Sequence, residues 1–212
     1  MLNFRLPGLK TVLALGAHCD DIEIGCGGTL LRLVREHPGL EVHWHVFASN
    51  PARAAEAEKS AKQFLEGASA RIRVHAFRDG YLPTQWAEVK DAFEALKGQV
   101  RPDLILTHYR QDLHQDHRLV NELTWNTWRN HQIWEYEIPK YDGDMGIPNG
   151  FVELDETICR RKVALLRECY PTQWGKAWFS EDTFLGLMRL RGMECQAASR
   201  HAEAFHCRKL LY

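Results

Sequence analysis

Two short stretches carry the residues that could do chemistry. His18-Cys19-Asp20-Asp21-Ile22-Glu23 follows the apolar run Thr11–Gly16 and leads into Gly25-Cys26-Gly27-Gly28-Thr29. His114-Gln115-Asp116-His117 follows a second short apolar run, Leu104 to Thr107. A catalytic zinc takes three protein ligands and keeps one position open for water. His18 and Asp21 in a tight strand-to-helix turn, with His117 from the second stretch, supply two imidazoles and one carboxylate. Such a metal lowers the pKa of its water from about 16 to about 7. Asp20, beside a ligand but pointing elsewhere along the turn, is suited to take the proton of that water. His114 is suited to hydrogen-bond a carbonyl oxyanion, and Asp116 to orient His114 or a ligand histidine. Zn2+ is the default ion, and Fe2+ suits the same donors. Alone, Asp20-Asp21 would read as a helix-capping pair, and the two histidines as a polar surface loop. Their joint spacing favours the metal.

Both stretches must be delivered to one place. Thr11–Gly16 is short and continuously apolar, as a strand buried on both faces is. The glycines at 25, 27 and 28 are expected to turn the backbone before a helix from Thr29 to His37, stopped by Pro38-Gly39. Strands are expected over 41–48, 71–77 and 104–107, and helices over 53–66 and 86–97. This alternation predicts an α/β, Rossmann-like three-layer fold with a mostly parallel central sheet. Ligands of such sheets sit outside the carboxyl ends of the strands, where both clusters fall. Beyond His117 the pattern predicts a helix to Asn130 and a strand over 132–138. An irregular segment over 140–150 reads as a lid or binding loop. A helix capped by Asp155, a second over 181–191 and a closing strand over 202–211 complete the chain. The whole reads as a single domain over 1–212, with about 131–212 a C-terminal elaboration that carries the lid loop.

Composition narrows the partners. The 212 residues carry a formal net charge of −1, with no basic block, which argues against nucleic acid. No apolar segment approaches membrane-spanning length, and Met1–Lys10 has no signal-peptide core. The six cysteines form no C-x-x-C pair, so they read as reduced thiols of a cytoplasmic protein. Cys19 has no orienting partner that would make it a nucleophile, and the glycine spacing is not that of a dinucleotide loop. Trp125, Trp128 and Trp134 read as core or as a homo-oligomer interface. Glu203 and His206 read as tail packing.

The quoted residues also carry a family resemblance. Ala17-His18-Cys19-Asp20-Asp21-Ile22-Glu23 with Gly25-Cys26-Gly27-Gly28-Thr29 resembles the A-H-P-D-D-x-E…G-x-G-G-T signature of the PIG-L/LmbE-like N-deacetylases. His114-Gln115-Asp116-His117 resembles their H-x-D-H motif. The resemblance implies removal of an acyl group from an N-acetylated sugar, typically an N-acetylglucosaminyl moiety, with the help of zinc. It implies His18, Asp21 and His117 as metal ligands, Asp20 as general base, His114 as oxyanion stabiliser and Arg53 as a substrate contact. The partner would be a small N-acylated sugar or similar amide. A non-catalytic sugar- or metal-binding protein, or an amidase of a thioglycoside conjugate, are the alternatives. Cys19 stands where that family usually has proline, which leaves the turn less stiff.

Overall fold

The computed structural model describes residues 6–210. In chain order the elements are β1 (Thr11–Gly16), α1 (Asp21–Glu36), β2 (Glu41–Ala48), α2 (Pro51–Phe64), β3 (Ser69–Phe77), α3 (Trp86–Lys97), β4 (Leu104–His108), α4 (Gln115–Thr127), β5 (Gln132–Tyr136), β6 (Gly150–Glu153), α5 (Glu156–Cys169), α6 (Glu181–Glu194) and β7 (Ala202–Cys207). The central strands are continuously apolar because they feed two cores. Val12 and Ala14 of β1, Trp44 and Val46 of β2, and Leu106 of β4 pack under α1, α2, α5 and α6. Leu13, Leu15, Phe47 and Ile105 pack under α3 and α4 on the other face. The result is the expected three-layer α/β fold.

The strands lie in the order β3-β2-β1-β4-β5-β7-β6. β1 to β5 run parallel, and β7 is antiparallel to both β5 and β6. The winding reverses between β1 and β4, which opens a crevice at their carboxyl ends. His18 follows β1 and His114 follows β4, so both clusters are delivered to that crevice. The last strand ends at Cys207, short of the expected 211; Leu211, like residues 1–5, lies outside the described residues. Among the described residues no helix is long and apolar enough to cross a membrane.

The main departure from expectation is α1, which begins at Asp21 rather than Thr29. The glycines lie inside it and serve close packing rather than a turn. A Cβ on Gly25 would run into the Tyr136 ring, one on Gly27 into Phe64, and one on Gly28 into Leu154 and Glu203. The helix breaks at Cys26, with φ −145° and ψ 17°. A buried break must place its freed backbone groups elsewhere. Glu203 accepts the N–H groups of Gly28 (2.8 Å) and Thr29 (2.6 Å). Lys162 donates to the Ile24 carbonyl and to Glu203, both at 2.7 Å. Lys162 and Glu203 are buried, so the tail residue is a brace for the first helix.

Other boundaries follow their caps. α2 starts at Pro51 because the Asn50 side chain accepts from the Arg53 N–H at 3.1 Å and proline suits the first helical turn. Asp155 caps α5 as expected, accepting from the Ile158 N–H at 2.9 Å. Trp128 and Trp134 belong to the cores. Trp125 is half-buried beneath Arg208, whose guanidinium carbon lies 4.1 Å from the ring centroid.

Candidate metal and catalytic site

After β1 the chain turns sharply. The His18 N–H donates to Asp21 Oδ2 at 2.6 Å, which closes the turn and aims the carboxylate inward. The Tyr170 hydroxyl donates to the Cys19 carbonyl, so a distant side chain steadies a turn that lacks the family's proline. The Cys19 thiol itself is buried against the Ala48 carbonyl, and burial pushes it up to about 12. It is therefore a protonated core group at neutral pH. His18 Nε2 lies 3.1 Å from Asp116 Oδ2 and 3.2 Å from Asp79 Oδ1. Carboxylates only accept, so Nε2 carries a proton. Burial lowers the ring's pKa, but Asp21, Asp116 and Asp79 more than offset this and raise it well above the usual value, so Nδ1 would offer its lone pair once a cation displaces the proton there. Asp116 also accepts the N–H groups of Gly80 (2.8 Å) and Leu82 (3.1 Å). Of the two orienting roles expected for Asp116, its side chain takes the one on His18.

The second cluster opens α4. His114 Nδ1 accepts the Asp116 N–H at 3.2 Å, capping the helix and leaving the proton of the neutral ring on Nε2. His117 Nδ1 donates to Asp112 Oδ2 at 2.9 Å, so its Nε2 lone pair faces the crevice. Lys140, from the irregular segment after β5, donates to Asp112 at 2.9 Å and pairs with Asp144 at 2.6 Å. Asp144 in turn accepts the Leu113 N–H at 2.5 Å, so the expected lid loop is pinned beside this cluster.

Three donor atoms converge. His18 Nδ1 and His117 Nε2 are 3.1 Å apart, and Asp21 Oδ2 lies 3.3 Å from the first and 3.5 Å from the second. Three corners of a tetrahedron with bonds of about 2.0–2.1 Å stand about 3.4 Å apart. The spacing therefore fits zinc, and both imidazoles have a carboxylate behind them, as metal ligands usually do. Three overlapping sets among the described residues, His18, His114, His117, then Asp21, His108, His117, and His18, Asp79, Asp116, also bring ligand atoms together. His108 Nε2 already accepts the Ala17 N–H at 2.9 Å, which leaves it a supporting part. Burial pushes the Asp21 carboxyl up, but His117, His108 and His18 more than offset this and hold it well below the usual range. Burial, aided by His108, holds His117 down to about 4, so its ring is neutral at pH 7.

Asp20 stands just outside this trio. Its Oδ1 meets Arg53 Nη2 at 2.9 Å, while Oδ2 is buried without a partner. Burial raises its pKa, and the Arg53 guanidinium opposes that rise. Arg53 is turned onto Asp20 and also reaches Thr172 Oγ1 at 3.2 Å and Glu56 Oε2 at 3.4 Å. The seven catalytic, metal and substrate candidates thus fall at one end of the sheet: His18, Asp21, His114, Asp116 and His117 are linked by direct contacts, and Asp20 and Arg53 pair beside them.

The arrangement has known counterparts. A family model described as GlcNAc-PI de-N-acetylase, PIG-L, matches residues 13–128. The chain belongs to the PIG-L family. It is 29% identical over 140 residues to an uncharacterized deacetylase, YaiS, of Escherichia coli strain K12, covering 61% of this chain and 75% of that one. Among solved structures, it resembles the N,N'-diacetylchitobiose deacetylase of Pyrococcus horikoshii with a TM-score of 0.70 at 21% identity, covering 94% of this chain and 84% of that one. It also resembles GalB, the 4-carboxy-2-hydroxymuconate hydratase of Pseudomonas putida KT2440, with a TM-score of 0.74 at 15% identity, covering 96% and 98%. A hydratase and a deacetylase on one fold show that the fold alone does not fix the reaction.

Sequence reasoning passed over several residues of this candidate site. His108 ends the very strand that precedes the second cluster, and Asp112 stands two residues before His114. Their position in that stretch was a usable signal. Asp79, on the turn after β3, and Lys140 had no comparable local mark.

Proposed function

We propose that this protein is a zinc-dependent N-deacetylase of an N-acetylated amino-sugar or a related small amide. The convergence of His18 Nδ1, Asp21 Oδ2 and His117 Nε2 within 3.5 Å of one another supports this most directly. Bound there, Zn2+ would lower the pKa of a water to about 7 and polarise the acyl carbonyl; Fe2+ suits the same donors. Asp20 acts as general base. Arg53 occupies Oδ1, so the unpartnered Oδ2 takes the water's proton as the water attacks the acyl carbon. His114 donates its Nε2 proton in a hydrogen bond to the carbonyl oxygen as charge builds there. When the C–N bond breaks, Asp20 returns its proton to the leaving amine, giving acetate and the free amino-sugar. Arg53 presents its remaining exposed edge to the substrate. Asp116 and Asp112 keep the rings of His18 and His117 in the tautomers that face the ion. Six unpaired cysteines among the described residues support a reducing, cytoplasmic setting.

The test is acetate release from N-acetylglucosamine-type compounds by zinc-loaded protein, with and without chelator. Release that chelator abolishes and zinc restores is expected. Asp20→Ala should retain zinc and lose activity by about 10²- to 10⁴-fold. Undiminished turnover in a zinc-loaded Asp20→Ala protein would reject the base assignment.

A further inference from the structure

Arg53 is also held from behind, on the side away from Asp20. Glu56, one turn further along α2, grips Thr172 twice, accepting its N–H at 3.0 Å and its hydroxyl at 2.7 Å. With its proton committed to Glu56, the Thr172 hydroxyl has only lone pairs left to offer. Arg53 Nη1 donates to it at 3.2 Å and Gln173 Nε2 at 3.0 Å. Glu56 Oε2 receives Arg53 Nη1 as well, at 3.4 Å, and the Tyr170 ring lies beneath the guanidinium, its centroid 5.3 Å away. Glu56 and Gln173 are buried. The turn Pro171–Gln173 that follows α5 is therefore joined to α2 through one carboxylate and one hydroxyl, and Arg53 is clamped between that joint and Asp20.

Geometry limits what a clamped guanidinium can do. A free arginine on a rim can swing onto either oxygen of a carboxylate. Arg53 is fixed on three sides, so only Oδ1 of Asp20 is consumed and Oδ2 stays open. We infer that Glu56 and Thr172 are positioning residues for the proton-transfer step, acting through Arg53 on Asp20, and that the C-terminal part of the chain thereby completes the site. This rests on the reading of Asp20 as the base. It also gives Arg53 a role in kcat, whereas a pure substrate contact would appear in KM.

Thr172→Val removes the hydroxyl and keeps the shape. Zinc-loaded Thr172→Val is expected to lose about 10-fold in kcat, as small misplacements of reacting groups do, with KM and zinc content unchanged. Thr172→Ser, which keeps the hydroxyl, should restore it. A second readout needs no turnover: the rate at which phenylglyoxal modifies Arg53, followed by mass spectrometry of the intact zinc-loaded protein. Arg53 should react several-fold faster in Thr172→Val than in the wild type or in Thr172→Ser. Should Thr172→Val fail to fold, Glu56→Gln weakens the same joint and should show both effects. An unchanged kcat, a loss confined to KM, or unaltered Arg53 reactivity overturns the inference. Failure of the wild type to deacetylate any N-acyl sugar would instead sink the reading it rests on, with the Arg53 reactivity still reporting whether the clamp exists.

Discussion

The loop after β1 and the loop after β4 serve one centre and are held in different ways. In the second, many partners lie close by in sequence, with Lys140, Asp144 and the Gly80 and Leu82 N–H groups added from outside. Asp112 accepts the His114 N–H at 2.8 Å and His117 Nδ1 at 2.9 Å, and Asn121 donates to the His108 carbonyl at 2.6 Å. Arg118 donates to the Asp112 carbonyl at 3.1 Å. The first loop has few local bonds and borrows the rest. Tyr170 holds the Cys19 carbonyl, Arg53 holds Asp20, and His108 receives the Ala17 N–H. The helix it enters is braced by Lys162 and Glu203. A loop with many local bonds is less exposed to change elsewhere than one that borrows nearly all of its support.

The most severe way to break that contrast is Lys162→Met. It strands a buried carboxylate at Glu203, and removing one partner of a buried pair typically costs about 3–5 kcal/mol. The urea midpoint should fall accordingly, and zinc affinity should fall with it, because the first turn of α1 carries Asp21. If stability dropped while zinc affinity held, the brace would not reach the first loop. Asp112→Asn sharpens the other side. It leaves the fold of the second loop in place but weakens the orienting bond behind His117, so zinc affinity should drop by about 10- to 100-fold in a chelator competition. The urea midpoint of the metal-free protein should fall by less than in Lys162→Met, since Lys140 keeps Asp144 as its partner.

The smallest effect separates site from scaffold. Burial, with His75 beside it, holds His45 down to about 3, and burial holds His75 down to about 4. The unfolded chain binds these protons near pH 6.5. Stability from this pair is therefore full above about 6.5 and is lost as the pH falls toward 4. His45→Gln should lose about 2 kcal/mol less than the wild type between pH 7 and pH 5, from paired urea titrations. Zinc binding at pH 7.5 should not change, since His45 lies on β2 away from both loops. An equal acid loss in the two proteins would remove His45 from the account.

The same contrast explains what could be read from the chain. The strands were legible because burial on both faces writes a continuous apolar run, as in Thr11–Gly16 and Leu104–His108. Asp155 marked its helix through local capping chemistry, whereas α2 begins at Pro51, two residues before the expected start, because Asn50-Pro51 reads equally as a turn. Both chemical clusters were legible because their spacing is short. The start of α1 was misplaced because Gly25, Gly27 and Gly28 look like a turn to any local rule. Only the distant Tyr136, Phe64 and Leu154 make them helical contact points. Glu56, Thr172, Lys162 and Glu203 escaped for the same reason: each acts on a residue that is remote in sequence or hidden behind another side chain.

The break in α1 has a consequence for how the molecule is made. Gly28 and Glu203 are separated by 175 residues. At a synthesis rate of about 5–20 residues per second, the ribosome needs roughly 10–35 s to extend the chain from one to the other. Throughout that interval the nascent first helix has no anion to quiet its freed N–H groups. Only once β7 has been synthesised and docked can Glu203 accept the Gly28 and Thr29 N–H groups.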